Sequence, residues 1–399
     1  MIVIGLISGT SADGIDAAVA DVTLDDDAIR LQPLGHRSTD YAVGLRDALW
    51  AALPPTGAGP EELCRLDAEL GEAFGQAAAA ANERLADGRA ELVTSHGQTI
   101  HHWVDAAGRA RGSLQLGQPA WIAEATGLPV VADLRNRDIA AGGHGAPLVA
   151  YPDVLLLSER ARSAPHEGPV GGAHALLNIG GIANLTLRRA DGSALAFDTG
   201  PGNALMDAAV VEQTGGSERF DRDGQRAGRG RVDPALLEAL LSDPYYSQPT
   251  PKSTGKELFH RDYLAGFLAD APQVSGDDVV ATLAALTAET IARAAAEHDV
   301  VELIASGGGT ANPVLMDELR TRASGVAVRT IDELGIPSEA KEAYWFAVLG
   351  FCTLHGIPGT VTSCTGASRP SVLGQLTPGA DGFPTPHRVD PPHRMTIVG

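Results

Sequence analysis

Short apolar runs punctuated by glycine turns alternate along the chain with stretches that carry apolar residues at helical spacing. Residues 2 to 8 (IVIGLIS) and 15 to 22 (IDAAVADV) read as two strands joined by the small-residue tip Gly9-Thr10-Ser11-Ala12-Asp13-Gly14. Leu63, Leu66, Leu70 and Phe74 mark an amphipathic helix over 61 to 87. A strand then ends at Ser95 and delivers His96, Gln98, Thr99, His101 and His102 into a polar turn. A buried strand at 128 to 132 leads to Asp133, Arg135 and a glycine-rich loop, and 158 to 172 reads as a surface connection. The stretch 176 to 207 reads as strand, glycine turn, strand, hairpin and a third strand whose end carries Asp198, with a helix starting at Asn203. Helices follow over 234 to 242, 277 to 298 (long and amphipathic) and 337 to 348, and a strand at 301 to 306 opens onto Gly307, Gly308 and Gly309. The last 25 or so residues, rich in proline and glycine, read as a surface tail.

IGGIANLTL repeats the N-terminal device about 170 residues later: an apolar strand, a tight turn of small residues, a second apolar strand. The repetition predicts two related α/β domains, 1–150 and 151–399, the first completed by the C-terminal segment. A length of 399 residues agrees with more than one core.

Bulk composition narrows the function without naming it. A net charge of -20 and an isoelectric point near 4.9 exclude a nucleic-acid surface, which needs basic residues along a phosphate backbone. No apolar run approaches the roughly 20 residues of a membrane span, and the N-terminus lacks the basic region of a signal peptide. Cys64, Cys352 and Cys364 are odd in number and far apart, which fits a reducing cytoplasm.

Asp198, in F-D-T-G-P-G-N, is a carboxylate at a strand end beside glycines and a helix start, a suitable place for a general base. The tip at 9 to 14 leaves backbone N–H groups open to a phosphate, although by itself it is more simply an ordinary hairpin turn. Arg135 could clamp a carboxylate or pair with Asp133 or Asp138. The histidine cluster lacks zinc-site spacing and suits hydrogen bonding to a sugar better than a metal. Glu257 stands where a P-loop at Gly255-Lys256 needs Ser or Thr, and Asp13 where a nucleophile elbow needs glycine.

Taken together, GLISGTSADGID, SHGQTIHH, VADLRNRDIAAGGHGAPL, LLNIGGIANLTL, AFDTGPGNALMD, PKSTGKELF, SGGGTANPVLM and AKEAYWFAVLG resemble the successive blocks of the anhydro-N-acetylmuramic acid kinase family, over residues 4 to about 375. The resemblance implies two actin-like (ribonuclease H-like) domains of the sugar kinase, Hsp70 and actin superfamily around an ATP cleft. It implies phosphate loops at Gly9, Thr10, Ser11, Ala12, Asp13, Gly14, Ile15 and Asp16 and at Gly180, Gly181 and Asn184. Gly200, Gly202 and Asn203 join the nucleotide site, and Gly307, Gly308 and Gly309 sit by adenosine. Asp198 becomes the base that activates water for attack at C1. His96, Gln98, Thr99, Arg135 and Glu342 become sugar contacts, with Arg135 facing the lactyl carboxylate. Mg²⁺ accompanies ATP, with Asp13 its possible protein ligand, and the protein is expected to be a homodimer. Around Ala150-Tyr151-Pro152-Asp153 and Gly359 to Cys364 the chain departs from the family pattern. Two other readings compete. One is a nucleotide-independent glycoside hydrolase pairing Asp198 with Glu342 or Asp207; the other is an actin- or Hsp70-like ATPase switch.

Overall fold

The computed structural model describes residues 1–9, 12, 14–53, 56–163, 171–255, 257–271, 273–385 and 389–399. The chain divides into two compact units, Met1–Glu159 with Ala340–Gly399, and Arg160–Glu339. One boundary falls inside the helix Ala150–Ser163 and the other just before the helix Lys341–Leu354.

The first unit is built on β1 (Ile2–Ser8), β2 (Gly14–Asp25), β3 (Ala28–Asp40), β4 (Leu92–Val104), β5 (Ala110–Leu116) and β6 (Val130–Ala132). The second holds β7 (Ala173–Ile179), β8 (Ile182–Arg188), β9 (Ala194–Pro201), β10 (Val300–Ser306) and β11 (Ala327–Thr330). β12 (Gln375–Thr377) and β13 (Arg394–Ile397) return to the first. The central strand orders are β6-β4-β1-β2-β3 and β11-β10-β7-β8-β9. In each, the opening strand lies in the middle, two antiparallel strands follow on one side, and two parallel strands complete the other. This is the ribonuclease H-like, or actin-like, arrangement, made twice by one chain.

β1 is buried at all seven positions because both faces of the first sheet are covered. Ile2, Ile4 and Leu6 pack with Leu66, Leu70 and Phe74 of the helix Pro60–Leu85. On the other face the helix Lys341–Leu354 approaches so closely that a Cβ on Gly5 would fall on the Ala343 carbonyl, and one on Gly350 on the Thr94 side chain. In the second unit the helix Gly276–Glu297 is the core element. Fifteen of its 22 residues are buried, so the expected amphipathic face gives way to a helix enclosed on nearly every side. By length and composition alone this helix is apolar enough to cross a membrane, and 83% of its apolar window is buried in the core.

Several expectations are corrected. β4 does not end at Ser95 but continues to Val104, because β5 folds back to pair Thr99, His101 and His102. The segment after Asp133 is the helix Leu134–Ala140 rather than loop. The connection at 158 to 172 is helical to Ser163. The helix placed at Pro337 starts at Lys341, since the Ser338 N–H is spent on Asp332 Oδ1 (3.1 Å). The C-terminal tail supplies β12 beside β6 and β13 beside β3, where Met395 is fully buried and Arg394 pairs with Asp27 and Glu159. Both strands cover sheet edges that would otherwise expose unpaired backbone.

Lys341, at the start of this helix, is buried. Its Nζ lies 2.9 Å from Asp153 Oδ1, which also accepts the Trp345 indole N–H at 2.6 Å. Removing one partner leaves an uncompensated buried charge, so Asp153→Ala is expected to cost about 3–5 kcal/mol. The double variant Asp153→Leu with Lys341→Met should recover most of the loss. Trp50, Trp103, Trp121 and Trp345 all lie in the first unit, so urea unfolding followed by tryptophan emission reads this unit and checks both outcomes.

Candidate active site

In the second unit, strand register gathers polar groups that the sequence scatters. Ser306 of β10 pairs with Asn178 of β7, Asn178 with Asn184 of β8, and Asn184 with Asp198 of β9, a row across four strands. Their neighbours Ala305, Leu177, Leu185 and Phe197 belong to the core, so the row lines the opposite face of the sheet. Asp198 lies within β9 rather than at its end.

Residues 245 to 254 hold Asp198 in place. Its N–H donates to the Lys252 carbonyl (2.9 Å), and its carbonyl accepts from the Tyr245 hydroxyl (2.7 Å). Its Oδ2 accepts both the Thr254 N–H (2.8 Å) and the Ser253 hydroxyl (3.1 Å). Burial pushes the Asp198 pKa above the ordinary carboxylate value and the charge of Glu257 adds to this, while the bonds from Thr254 and Ser253 pull the other way. Lys252 Nζ is spent on the carbonyls of Tyr245 and Tyr246, 3.1 Å each.

The glycine turns meet at the end of β7. Gly202, Asn203 and Ala204 donate their N–H groups to the carbonyls of Gly181 (2.9 Å), Gly180 (2.7 Å) and Gly181 (3.1 Å), tying the start of the helix Ala204–Gln213 to the β7–β8 turn. A Cβ on Gly202 would fall on the Gly180 carbonyl, and one on Gly200, at φ 153°, would lie 2.9 Å from the Tyr246 ring. Gly307, at φ 86°, and Gly309 are likewise demanded by contact with Asn178 and Ile179. A Cβ on Gly308 meets nothing, and one on Gly180 nothing closer than 3.6 Å. At these two positions internal packing does not require glycine, and the backbone is open to a ligand.

In the first unit, Thr10, Ser11 and Asp13 of the expected phosphate loop lie outside the described residues. Around them the Ala12 N–H donates to the Gly9 carbonyl (3.1 Å), with Ala12 left-handed and buried. The Ser8 hydroxyl donates to the Gly14 carbonyl at 2.7 Å. The Ile15 side chain is in the core, and Asp16 accepts the Ser38 hydroxyl. Gln98 is tied to the same loop: its Oε1 lies 2.6 Å from Ser8 Oγ, and its Nε2 reaches the Gly9 carbonyl at 3.3 Å. Thr99 Oγ1 accepts from Gln115 Nε2 at 3.2 Å.

His96 and Arg135 form a unit of their own. Arg135 Nε donates to His96 Nε2 (2.9 Å), while His96 Nδ1 faces the Gly97 carbonyl (3.0 Å) and the ring packs on Phe346. Burial first, and then Arg135, lower the His96 pKa to about 3, so the imidazole is neutral with its proton on Nδ1. Arg135 Nη1 donates to the Gly145 carbonyl (2.7 Å), and Nη2 makes no hydrogen bond to the described residues. Neither Asp133 nor Asp138 is its partner. Asp133 accepts from Asn136 and Gln375, and Asp138 from Thr365 and the Gly145 N–H. Glu342, in the first turn of the helix Lys341–Leu354, is pushed up by burial against the pull of Lys341 and Arg135. Its carboxylate makes no hydrogen bond to the described residues.

Asn178, Ser306, Ser253 and Thr254 were not predicted. The first two were marked by single polar residues within apolar runs, LLNIGG and LIASGG. The last two sit in PKSTGKELF, which fails as a P-loop and was given no other role.

A family model described as anhydro-N-acetylmuramic acid kinase matches residues 1–379. A protein of that name from Streptomyces coelicolor is 54% identical over 400 residues, covering 100% of each chain. Another from Rhodococcus erythropolis is 53% identical over 96% of each chain. A third, from Caldanaerobacter subterraneus subsp. tengcongensis, is 37% identical over 94% of this chain and 96% of its own. The chain belongs to the anhydro-N-acetylmuramic acid kinase family.

Proposed function

We infer that the protein is an ATP-dependent kinase that opens the 1,6-anhydro ring of 1,6-anhydro-N-acetylmuramic acid with water and phosphorylates O6. The product is N-acetylmuramic acid 6-phosphate, and the role is peptidoglycan recycling in the cytoplasm. The observation that carries the reading is full-length membership of the family together with Asp198, a partly buried carboxylate anchored through one oxygen. The anhydro bridge is an internal glycoside, so its opening needs a nucleophile at C1 and a stabilised O6. Asp198 removes a proton from the attacking water. Burial raises its pKa above the ordinary carboxylate value and so makes it a stronger base.

Arg135 is oriented by neutral His96 and the Gly145 carbonyl, and it offers Nη2 to the lactyl carboxylate. Glu342 accepts from sugar hydroxyls. Gly180 and Gly308 present open backbone to the nucleotide phosphates and adenosine, Gly181 lies in the same turn as Gly180, and Gly200, Gly202, Asn203, Gly307 and Gly309 shape that backbone. Among the described residues no three His, Cys, Asp or Glu side chains converge to cage a metal. Mg²⁺ would be held chiefly through nucleotide phosphates and water, with Asp13 the candidate protein ligand. When bound, the ion neutralises charge on the transferring phosphoryl group.

Asp198→Asn should keep nucleotide affinity and lose roughly 10²-fold or more in kcat. Coupled ADP release with the anhydro sugar, and product analysis for ring opening, measure this. A variant with near-normal kcat removes Asp198 from the role. Because the base must be ionised and its pKa is raised, turnover should fall on acidification at a higher pH than for an ordinary carboxylate. Arg135→Ala should raise the sugar KM roughly 10- to 100-fold with little change in nucleotide KM. Arg135→Lys should not restore it, since an ammonium cannot reproduce the fork held by His96 and Gly145. An unchanged sugar KM in the alanine variant counts against this contact. The homodimer is part of the same proposal; light scattering at one chain mass, 41.2 kDa, would remove it.

A further inference from the structure

The two oxygens of Asp198 are not equivalent. Oδ2 accepts two hydrogen bonds, from the Thr254 N–H at 2.8 Å and from the Ser253 hydroxyl at 3.1 Å, and Oδ1 accepts none from the described residues. The donors come from adjacent residues of one segment, and that segment is itself fixed. Lys252, next in the chain, receives the Asp198 N–H on its carbonyl at 2.9 Å. Its Nζ is held by the carbonyls of Tyr245 and Tyr246 at 3.1 Å and lies 4.7 Å from the Tyr245 ring. The Tyr245 hydroxyl closes the circuit by donating to the Asp198 carbonyl at 2.7 Å. A clamp of this kind orients one carboxylate oxygen and leaves the other open.

We propose that Ser253 is a positioning residue, which with the Thr254 N–H holds Asp198 Oδ2 as an acceptor and so makes Oδ1 the atom that receives the proton. The inference rests on the reading of Asp198 as the base. A backbone N–H has only a proton to offer, so Oδ2 must remain an acceptor whether the carboxyl is ionised or protonated. The incoming proton therefore resides on Oδ1, and the carboxyl need not rotate during the reaction. The step balances. Water oxygen bonds to C1 and gives one proton to Asp198 Oδ1, and the C1–O6 bond breaks with its electron pair on O6. O6 bonds to the γ-phosphorus as the bond from that phosphorus to the β-phosphate bridging oxygen breaks and ADP leaves. The proton on Oδ1 passes afterwards to solvent. Both clamp bonds favour the ionised form, opposing the effect of burial and of Glu257.

The experiment compares Ser253→Ala and Ser253→Thr with the wild-type chain over pH, by coupled ADP release at saturating sugar and ATP. In Ser253→Ala, loss of a bond to the ionised carboxylate should move the acidic limb of kcat to higher pH. The plateau kcat should fall roughly 10-fold, with both KM values near wild type. Ser253→Thr keeps the hydroxyl and should restore both the limb and most of the plateau. If the alanine chain does not fold, Ser253→Cys, a weaker donor of similar shape, should move the limb in the same direction. A wild-type limb and plateau in Ser253→Ala overturn the proposal, as does a fall in activity with an unmoved limb that threonine does not rescue. Asp198→Asn measured alongside separates the two levels. If it stays active, the base reading itself fails, whereas an inactive Asp198→Asn beside an unaltered Ser253→Ala removes only the clamp.

Discussion

The approach of the helix Lys341–Leu354 to the first sheet is the constraint on which the candidate residues of the first unit depend. Two missing side chains set it: Gly5 on β1 gives way to the helix backbone at Ala343, and Gly350 on the helix gives way to Thr94 on β4. With both notches in place the helix lies directly over the strand that carries His96, so Phe346 meets the imidazole ring and Glu342 enters the field of Arg135. The buried Lys341–Asp153 pair holds the first turn from the other side. A bulkier residue at either notch would lift the helix by the thickness of a side chain. Phe346 and Glu342 would then be displaced together, because a packed helix moves as a rigid body.

The second unit reaches its arrangement by register instead. Side chains paired across a sheet point to the same face, so one alignment of β10, β7, β8 and β9 is enough to bring Ser306, Asn178, Asn184 and Asp198 into a row. A slip of one residue in any strand would send its polar group into a core of leucine, isoleucine and alanine, so the core that stabilises the unit also enforces the row. The glycines divide accordingly. Gly202, Gly307 and Gly309 allow the chain to pack against itself around the end of β7, and Gly308 and Gly180 remain unfilled.

What could be read from the sequence was whatever depends on near neighbours. Strand hairpins with small tips, the helix at 60–85 and the repetition of one hairpin device follow from local alternation, and the two identical strand orders show that repetition to be structural. Non-local pairing was not legible. β4 runs past Ser95 only because β5 returns to meet it, and RMTI near the C-terminus is a strand only because the edge of β3 is open to it. Nor does the spacing of charges around Lys341 report that Asp153, 188 positions earlier, lies against the same turn. Ser253 and Thr254 escaped for a related reason. Their role is defined by a carboxylate more than 50 residues away, which no local spacing within PKSTGKELF reports.

A chain of net charge -20 repels anions at a distance, so an anionic sugar and a nucleotide must be held by short-range features that survive screening. Arg135, the proposed carboxylate contact, is partly buried, and two of its three nitrogens are fixed on neutral acceptors, the His96 ring and the Gly145 carbonyl. Neutral partners orient the guanidinium without cancelling its charge, whereas pairing with Asp133 or Asp138 would have cancelled it. Burial first, and then Arg135, depress the His96 pKa, since a protonated imidazole there would be a buried cation beside another and would lose its acceptor nitrogen. Asp198 is treated in mirror image, with neutral donors on one oxygen and a negative charge that is oriented but not neutralised. In both units neutral hydrogen bonds aim a charged group without cancelling its charge.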